Sequence, residues 1–323
     1  MPLDAHYALG VRAIFPVQKY DNGFSAGDGQ RGIIEIANLI NSGHWSNFVD
    51  DCPHVPTAFD HGPVSFGGIN QPRDVYDAPA PNDVTSFFAR PLATILPFAS
   101  ALQAPGIEGE YCQKAGLTPL GETLISEMMK RGMIIEVDHL PQRSVARAYE
   151  MLVENDYPPA ATHGNNNGGL VYELGGISNT SLGRCADPGD PKAMIRSLQE
   201  RVALAADRGG YPAEGFSFDF NGLAHGPGPR FGPDGQCGQP QANPIGYPFT
   251  SFDGAVTFTQ PQLGRRSVDF NTEGMIHAGL LPELIEDERR NGATDEELEP
   301  LFRSAEGYVR MWERAEERAA ALR

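Results

Sequence analysis

Three short apolar runs each end in a side chain able to bind a metal ion: Met133 to His139 (MIIEVDH), Ala160 to His163 (AATH) and Gly215 to Asp219 (GFSFD). Strands of a parallel sheet, covered on both faces, read as continuous apolar stretches, and the residue at the carboxyl end of such a strand faces the mouth of the sheet or barrel. Helical patterns separate the runs. Thr118 and Pro119 suit an N-cap and first helical position; Leu120, Leu124, Ile125 and Met128 recur at helical spacing, and Lys130, Arg131 and Gly132 close the helix. Further helices are predicted over Pro141 to Glu154 and Lys192 to Arg208, with strands at Met133 to Asp138, Ala160 to Thr162 and Gly215 to Phe220. Helix and strand in alternation imply βα units and a parallel sheet, closed as a barrel or doubly wound.

Outside this block the texture changes. Ala5 to Leu9 reads as the last turn of a helix and Val11 to Val17 as a buried strand. From Tyr20 to about Gly116 the chain is loop-like, rich in Asn, Gly and Pro, with a helix at Gly32 to Asn41; a second Gly- and Pro-rich excursion runs from His225 to about Arg266. Connections this long are unusual and often carry function. Near the end, Thr272 suits the cap of a helix running through Met275, Leu280, Leu281 and Ile285, and Thr294 with Glu297 forms a capping box. Beyond it, Leu298, Leu301, Phe302, Ala305, Tyr308, Val309, Trp312, Ala315 and Ala319 give a helix over 295–322 one apolar face for docking.

Composition removes several classes of function. The 42 acidic against 25 basic residues give a formal charge of −17, which argues against nucleic acid or an anionic membrane as a partner. No run of 18 apolar residues is present, so no membrane insertion is expected, and MPLDAHYALG lacks the basic and apolar regions of a signal peptide. Cys52, Cys112, Cys185 and Cys237 contain no CxxC pair, which speaks against a cysteine-based zinc site and leaves two disulfides and four free thiols both open.

The residues carry a family resemblance. GLTPLGETLISEMMKRGMIIEVDHLP resembles the segment of membrane dipeptidases (renal dipeptidase-like, peptidase family M19) in which a TP-capped helix leads into a strand ending in a metal-binding His. PPAATHGNNN is similar to the strand with the second such His, and GFSFDFNG to the strand that supplies a late Asp. ALGVRAIFPVQKYDN resembles an early strand of the family and SAEGYVRMWERA its closing helix, while FPVQKYDN and DFNGLAHGPGPRFG are similar to larger secreted relatives.

The resemblance implies a hydrolase of the amidohydrolase superfamily on a (β/α)8 TIM-barrel-like α/β fold, one domain spanning 1–323 with insertions at about 20–116 and 225–266. It implies that His139, His163 and Asp219 bind Zn²⁺ or another divalent metal, one or two ions. Asp219 would also take the proton from the attacking water, the metal having acidified that water for attack on an amide, peptide or ester carbonyl. Gln18 stands where the family has a carbonyl-polarising His and could still donate a hydrogen bond. Asn22, Asn165 and Asn221 are candidate contacts for a small-molecule or peptide-like substrate, and Asp138 a candidate to orient a ligand from behind. The family's HxD pair and bridging Glu lie before the equivalent of this chain's first residue. His6 and Asp4 stand in reversed order and do not replace them. The barrel is therefore expected to be incomplete at its N-terminus, with an open sheet edge that a homodimer or higher homo-oligomer would cover.

Plainer roles stand beside these. His139 and His163 also suit buried, hydrogen-bonded strand ends, and Asp219 a turn cap. Glu136 is expected to face helices or a neighbouring charge; His44, His54, His61 and His225 suit loops, and His277 a structural place in a helix. Two other functions remain open: a metal-independent glycosidase-like hydrolase using Asp21, Asp138 and Asp219, and a non-catalytic barrel remnant that binds a partner.

Overall fold

The computed structural model describes residues 2–28, 34–42, 46–57, 59–62, 108–163, 168–218 and 226–323. In chain order the described elements begin with α1 (Pro2–Ala8), β1 (Ala13–Ile14) and α2 (Ile34–Ser42), then the antiparallel pair β2 (Phe48–Val49) and β3 (Cys112–Gln113). The βα alternation follows: α3 (Pro119–Lys130), β4 (Ile134–Glu136), α4 (Gln142–Glu154), β5 (Pro159–Ala161), α5 (Leu170–Glu173), β6 (Ile177–Thr180), α6 (Arg196–Asp207) and β7 (Gly215–Phe216). Two hairpins come next, β8 (Phe249–Thr250) with β9 (Thr257–Phe258) and β10 (Gln262–Leu263) with β11 (Arg266–Ser267). The chain closes with α7 (Phe270–Glu273), a 3₁₀ turn at Ala278–Leu280, α8 (Leu281–Arg290), α9 (Asp295–Phe302) and α10 (Ser304–Leu322). Strands β1, β4, β5, β6 and β7 form one sheet in that order. Its registered pairs are parallel, with Ala13 opposite Ile134, Ile135 opposite Pro159 and Asn179 opposite Gly215. The protein is thus a mixed α/β fold, as the alternation predicts.

Two compact units make up the chain. The first comprises Met1–Ala161, Asn165–Ile177 and Val309–Arg323. Its core gathers Ile125, Met128, Ile135, Val137, Val145, Leu152 and Ala315, all buried, from β4 and the residue after it, the two helices that flank β4 and the C-terminal helix. Thr118 caps α3 as expected, its hydroxyl accepting from Gly121 N at 3.0 Å. A Cβ at Gly121 would stand 2.0 Å from the Phe24 carbonyl oxygen, so only glycine lets the first turn of α3 lie against the loop beneath it. Tyr157 donates to the Met133 carbonyl at 2.7 Å, and Arg314 pairs with Asp156 at 2.6 Å. The Val11 to Val17 strand shrinks to two residues, with Ala13 exposed. Among the described residues β1 has a single neighbour in the sheet, β4, and leaves its other edge without a strand partner.

The second unit comprises Thr162–Gly164 and Ser178–Tyr308. Leu198, Val268, Met275, Leu280, Leu284 and Leu298 form its core. Several expectations are corrected here. The helix expected from Lys192 begins at Arg196, because the Asp190 carboxylate accepts from Lys192 N at 3.1 Å and turns the chain first. Thr272 does not cap a long helix: Asp269 caps the short α7, accepting from Asn271 N at 3.0 Å, and the Thr272 hydroxyl donates to Asp269. Asp is the stronger N-cap residue of the two. The single helix expected over 295–322 is two, α9 with the predicted capping box at Thr294 and Glu297, and α10. Phe302 and Val309 stand half exposed, Phe302 with its ring stacked on Phe252.

The open question of the cysteines closes as two disulfides, Cys52–Cys112 and Cys185–Cys237, one in each unit, spanning 60 and 52 residues. Loops of that length give each bond about 2–4 kcal/mol of stabilisation. Among the described residues, no helix is long and apolar enough to cross a membrane.

Candidate functional site

The site is built on the segment that leaves β4. Every residue of β4 is buried, and so are Val137, Asp138 and His139 after it. Val137 N still bonds the Ala160 carbonyl beside it, at 2.9 Å. The chain then turns sharply: His139 adopts a left-handed backbone, φ 66°, before Leu140 and Pro141 open α4. A non-glycine residue there costs of order 1–3 kcal/mol and persists only where its surroundings fix it, a cost that clusters at functional sites.

Around it runs a chain of polar side chains. His139 Nδ1 lies 3.0 Å from Asp28 Oδ2, and Lys19 Nζ donates to the same oxygen at 2.7 Å. His139 and Asp28 are fully buried, whereas the Lys19 side chain is 21% exposed. The imidazole is also flanked by aromatic rings, Phe59 at 4.7 Å and Phe15 at 5.8 Å between centroids. None of Lys19, Asp28, Phe15 or Phe59 stands out in the sequence as a site residue; Asp28 is 111 positions from its partner.

The loop that delivers Asp28 is held by its own polar groups. Asp28 N donates to the Gln18 carbonyl at 3.0 Å. The Asn22 side chain accepts from Phe24 N and Ser25 N at 2.7 and 3.1 Å and donates to the Pro16 carbonyl at 3.0 Å. The Asp21 carboxylate accepts from Gly27 N at 2.7 Å. A Cβ at Gly27 would come within 2.5 Å of the Lys19 carbonyl, so the residue before Asp28 has to be glycine for the loop to close. A second buried carboxylate, Asp60, ties the first insertion to this floor by accepting from Gln113 N at 2.7 Å and Gln142 N at 3.0 Å.

Each predicted site residue has a definite place or lies outside the described residues. His139 sits in the buried chain just described. Asp138 is fully buried immediately before it, and Glu136 is buried in β4. Gln18 is exposed and contributes its backbone carbonyl to the loop. Asn22 is exposed, its amide engaged within the loop, and borders a polar crevice of about 450 Å³ with Asp21, Ser25, Asn41, Ser42 and Thr118. His163 is half-buried, two residues beyond β5 in the second unit, where Asn179 donates to the neighbouring Thr162 carbonyl at 2.7 Å. Asp219, Asn165, Asn221, His44 and His225 lie outside the described residues. His54 and His61 are exposed on the first insertion. His277 caps the 3₁₀ turn, accepting from Gly279 N at 3.0 Å, rather than lying within a helix. Among the described residues, no three His, Cys, Asp or Glu side chains cluster closely enough to hold a metal ion.

Neither models of protein families nor characterised proteins match this chain when compared with it.

Proposed function

We propose that the protein is a hydrolase that uses a divalent cation to activate water against an amide, peptide or ester carbonyl, on a partial α/β barrel. The observation that carries this reading is the buried Asp28–His139 hydrogen bond at the carboxyl end of β4. Histidines that bind metal hand their other ring N–H to a carboxylate or carbonyl, which fixes the ring and strengthens it as a donor. His139 has that arrangement, and an imidazole so held suits zinc. The resemblance to membrane dipeptidases adds His163 and Asp219 as ligands, with Asp219 also taking the proton from the attacking water. The cation would supply Lewis-acid activation of water near neutral pH.

The rest of the chemistry falls to the chain. The exposed Gln18 amide is proposed to donate to the substrate carbonyl. Asn165 and Asn221 are proposed as substrate contacts, while Asn22, whose amide is engaged, shapes the loop beside the crevice. The test is metal content by native mass spectrometry, alongside turnover of a panel of dipeptides, amides and esters. Bound zinc, turnover abolished by chelation and restored by zinc, and loss of both in His139→Ala and His163→Ala are expected. A protein that binds no divalent ion and whose turnover survives chelation would overturn the proposal.

A further inference from the structure

We infer that Asp28 and Lys19 are positioning residues for His139: together they hold the imidazole in its Nδ1–H tautomer and so present Nε2 as the atom that meets a divalent cation. The inference rests on the hydrolase reading for the identity of that cation, but its geometry stands alone. A neutral imidazole carries one N–H, and which nitrogen keeps it is decided by the acceptor the ring faces. At 3.0 Å from Nδ1 the ring faces Asp28 Oδ2. Lys19 donates to that same oxygen at 2.7 Å, so the oxygen facing the ring is already placed as an acceptor. The proton therefore sits on Nδ1 and the lone pair on Nε2.

Three further features support this orientation. Phe59 and Phe15 pack against the ring, so a flip that exchanged the two nitrogens would have to move past them. Asp28 is held through its own backbone N–H by the Gln18 carbonyl, and Gly27 allows that approach. Lys19 reaches the pair from the side on which solvent is accessible, so the charge that fixes the tautomer enters from the surface while both acceptor and imidazole stay dry.

The test uses the full chain with ¹⁵N-labelled histidine, free of metal, with His139→Gln to assign the signal. Long-range ¹H–¹⁵N spectra are expected to show His139 as the Nδ1–H tautomer. Asp28→Asn, close to the native shape but able to donate as well as accept, is expected to mix the tautomers and raise the dissociation constant for zinc about 10–100-fold in calorimetric titration. Lys19→Met moves both readouts the same way by less, and carries the test if Asp28→Asn does not fold. An Nε2–H tautomer in the wild-type protein, or a tautomer unchanged in both variants, would overturn the inference. A wild-type protein with the Nδ1–H tautomer that binds no zinc upholds the positioning role and overturns the hydrolase reading instead.

Discussion

Both units bury carboxylates, and they do so in opposite ways. In the first, Asp28 is fully buried and one of its oxygens receives both Lys19 and His139. In the second, α8 turns four acids inward, Glu283, Glu286, Asp287 and Glu288. Asp287 takes the two-pronged grip of Arg230, at 2.9 and 2.7 Å, but among the described residues neither oxygen of the buried Glu288 accepts a hydrogen bond. Burial pushes the Glu288 carboxyl well above its ordinary value, Asp287 beside it adds to the effect, and Arg230 opposes it. A buried carboxylate supplied with donors can orient a neighbour; one without donors favours its protonated form. The first is suited to a site. The second couples stability to pH.

The largest effect expected from this contrast comes from removing the cation that each buried acid depends on. Arg230 and Asp287 are 3% and 5% exposed, so Arg230→Met strands a buried charge and is expected to cost about 3–5 kcal/mol. The loss is enlarged by the Gln241 side chain and the Ala242 and Asn243 carbonyls, which Arg230 also holds. Lys19 is part-exposed and Asp28 keeps its contact with His139 Nδ1, so Lys19→Met should cost less, about 1.5–3 kcal/mol. Urea unfolding of the full chain, followed by far-UV circular dichroism, measures both. A greater loss for Lys19→Met would break the contrast, because it would mean that the first unit, not the second, depends more on its ion pair.

A smaller effect depends on pH. Glu288 has a folded-state value raised above 4.5, its ordinary one, so the native state holds a proton that the unfolded chain releases in the window above that value. The stability this gives is fully present at acid pH and declines as pH rises towards the folded-state value. Glu288→Gln keeps the shape without a titrating proton, and should stabilise the protein at neutral pH while making little difference near pH 4. Thermal melts of the two proteins across that range check it; parallel curves would show that Glu288 finds a donor that restores its charge.

How much of this was legible in the sequence follows the range of the interactions. Local patterns were readable: Thr118 and Pro119 start α3, Thr294 and Glu297 close a capping box, and the run to His139 ends in a buried turn. These depend on residues three or four apart. Lys19 and Asp28 do not stand out, because nothing near them marks a partner beyond residue 130, and a solvated lysine or a turn aspartate has the same letters. Gly27 offered a faint signal, a glycine before an acid, whose meaning is visible only when the Lys19 carbonyl stands beside it. In the second unit Thr272 misled because Asp269, three residues earlier, was the better cap, and competition between two good caps is not settled by spacing. The half-exposed Phe302 follows from the break at Arg303, which the apolar pattern runs straight through.

The smallest effect separates the two units most cleanly. Thr118→Ala and Thr294→Ala each remove an N-cap and should each cost about 1 kcal/mol in urea unfolding. Thr294 caps locally, accepting from Glu297 N while Glu297 accepts from Thr294 N. Thr118 accepts from Gly121 N and also ties down a second segment: its hydroxyl lies 2.8 Å from the Gly23 carbonyl and 3.2 Å from that of Phe24, and its own N–H donates to the Phe24 carbonyl at 2.9 Å. Phe24 and Gly23 belong to the loop whose far end is Asp28. Losing the Thr118 hydroxyl therefore loosens the segment that presents the carboxylate to His139, whereas losing that of Thr294 frays a helix end. The His139 ¹⁵N signal should shift in Thr118→Ala, return in Thr118→Ser, and stay in place in Thr294→Ala. A signal that ignores Thr118→Ala would mean that Asp28 is held by Gln18 and Gly27 alone.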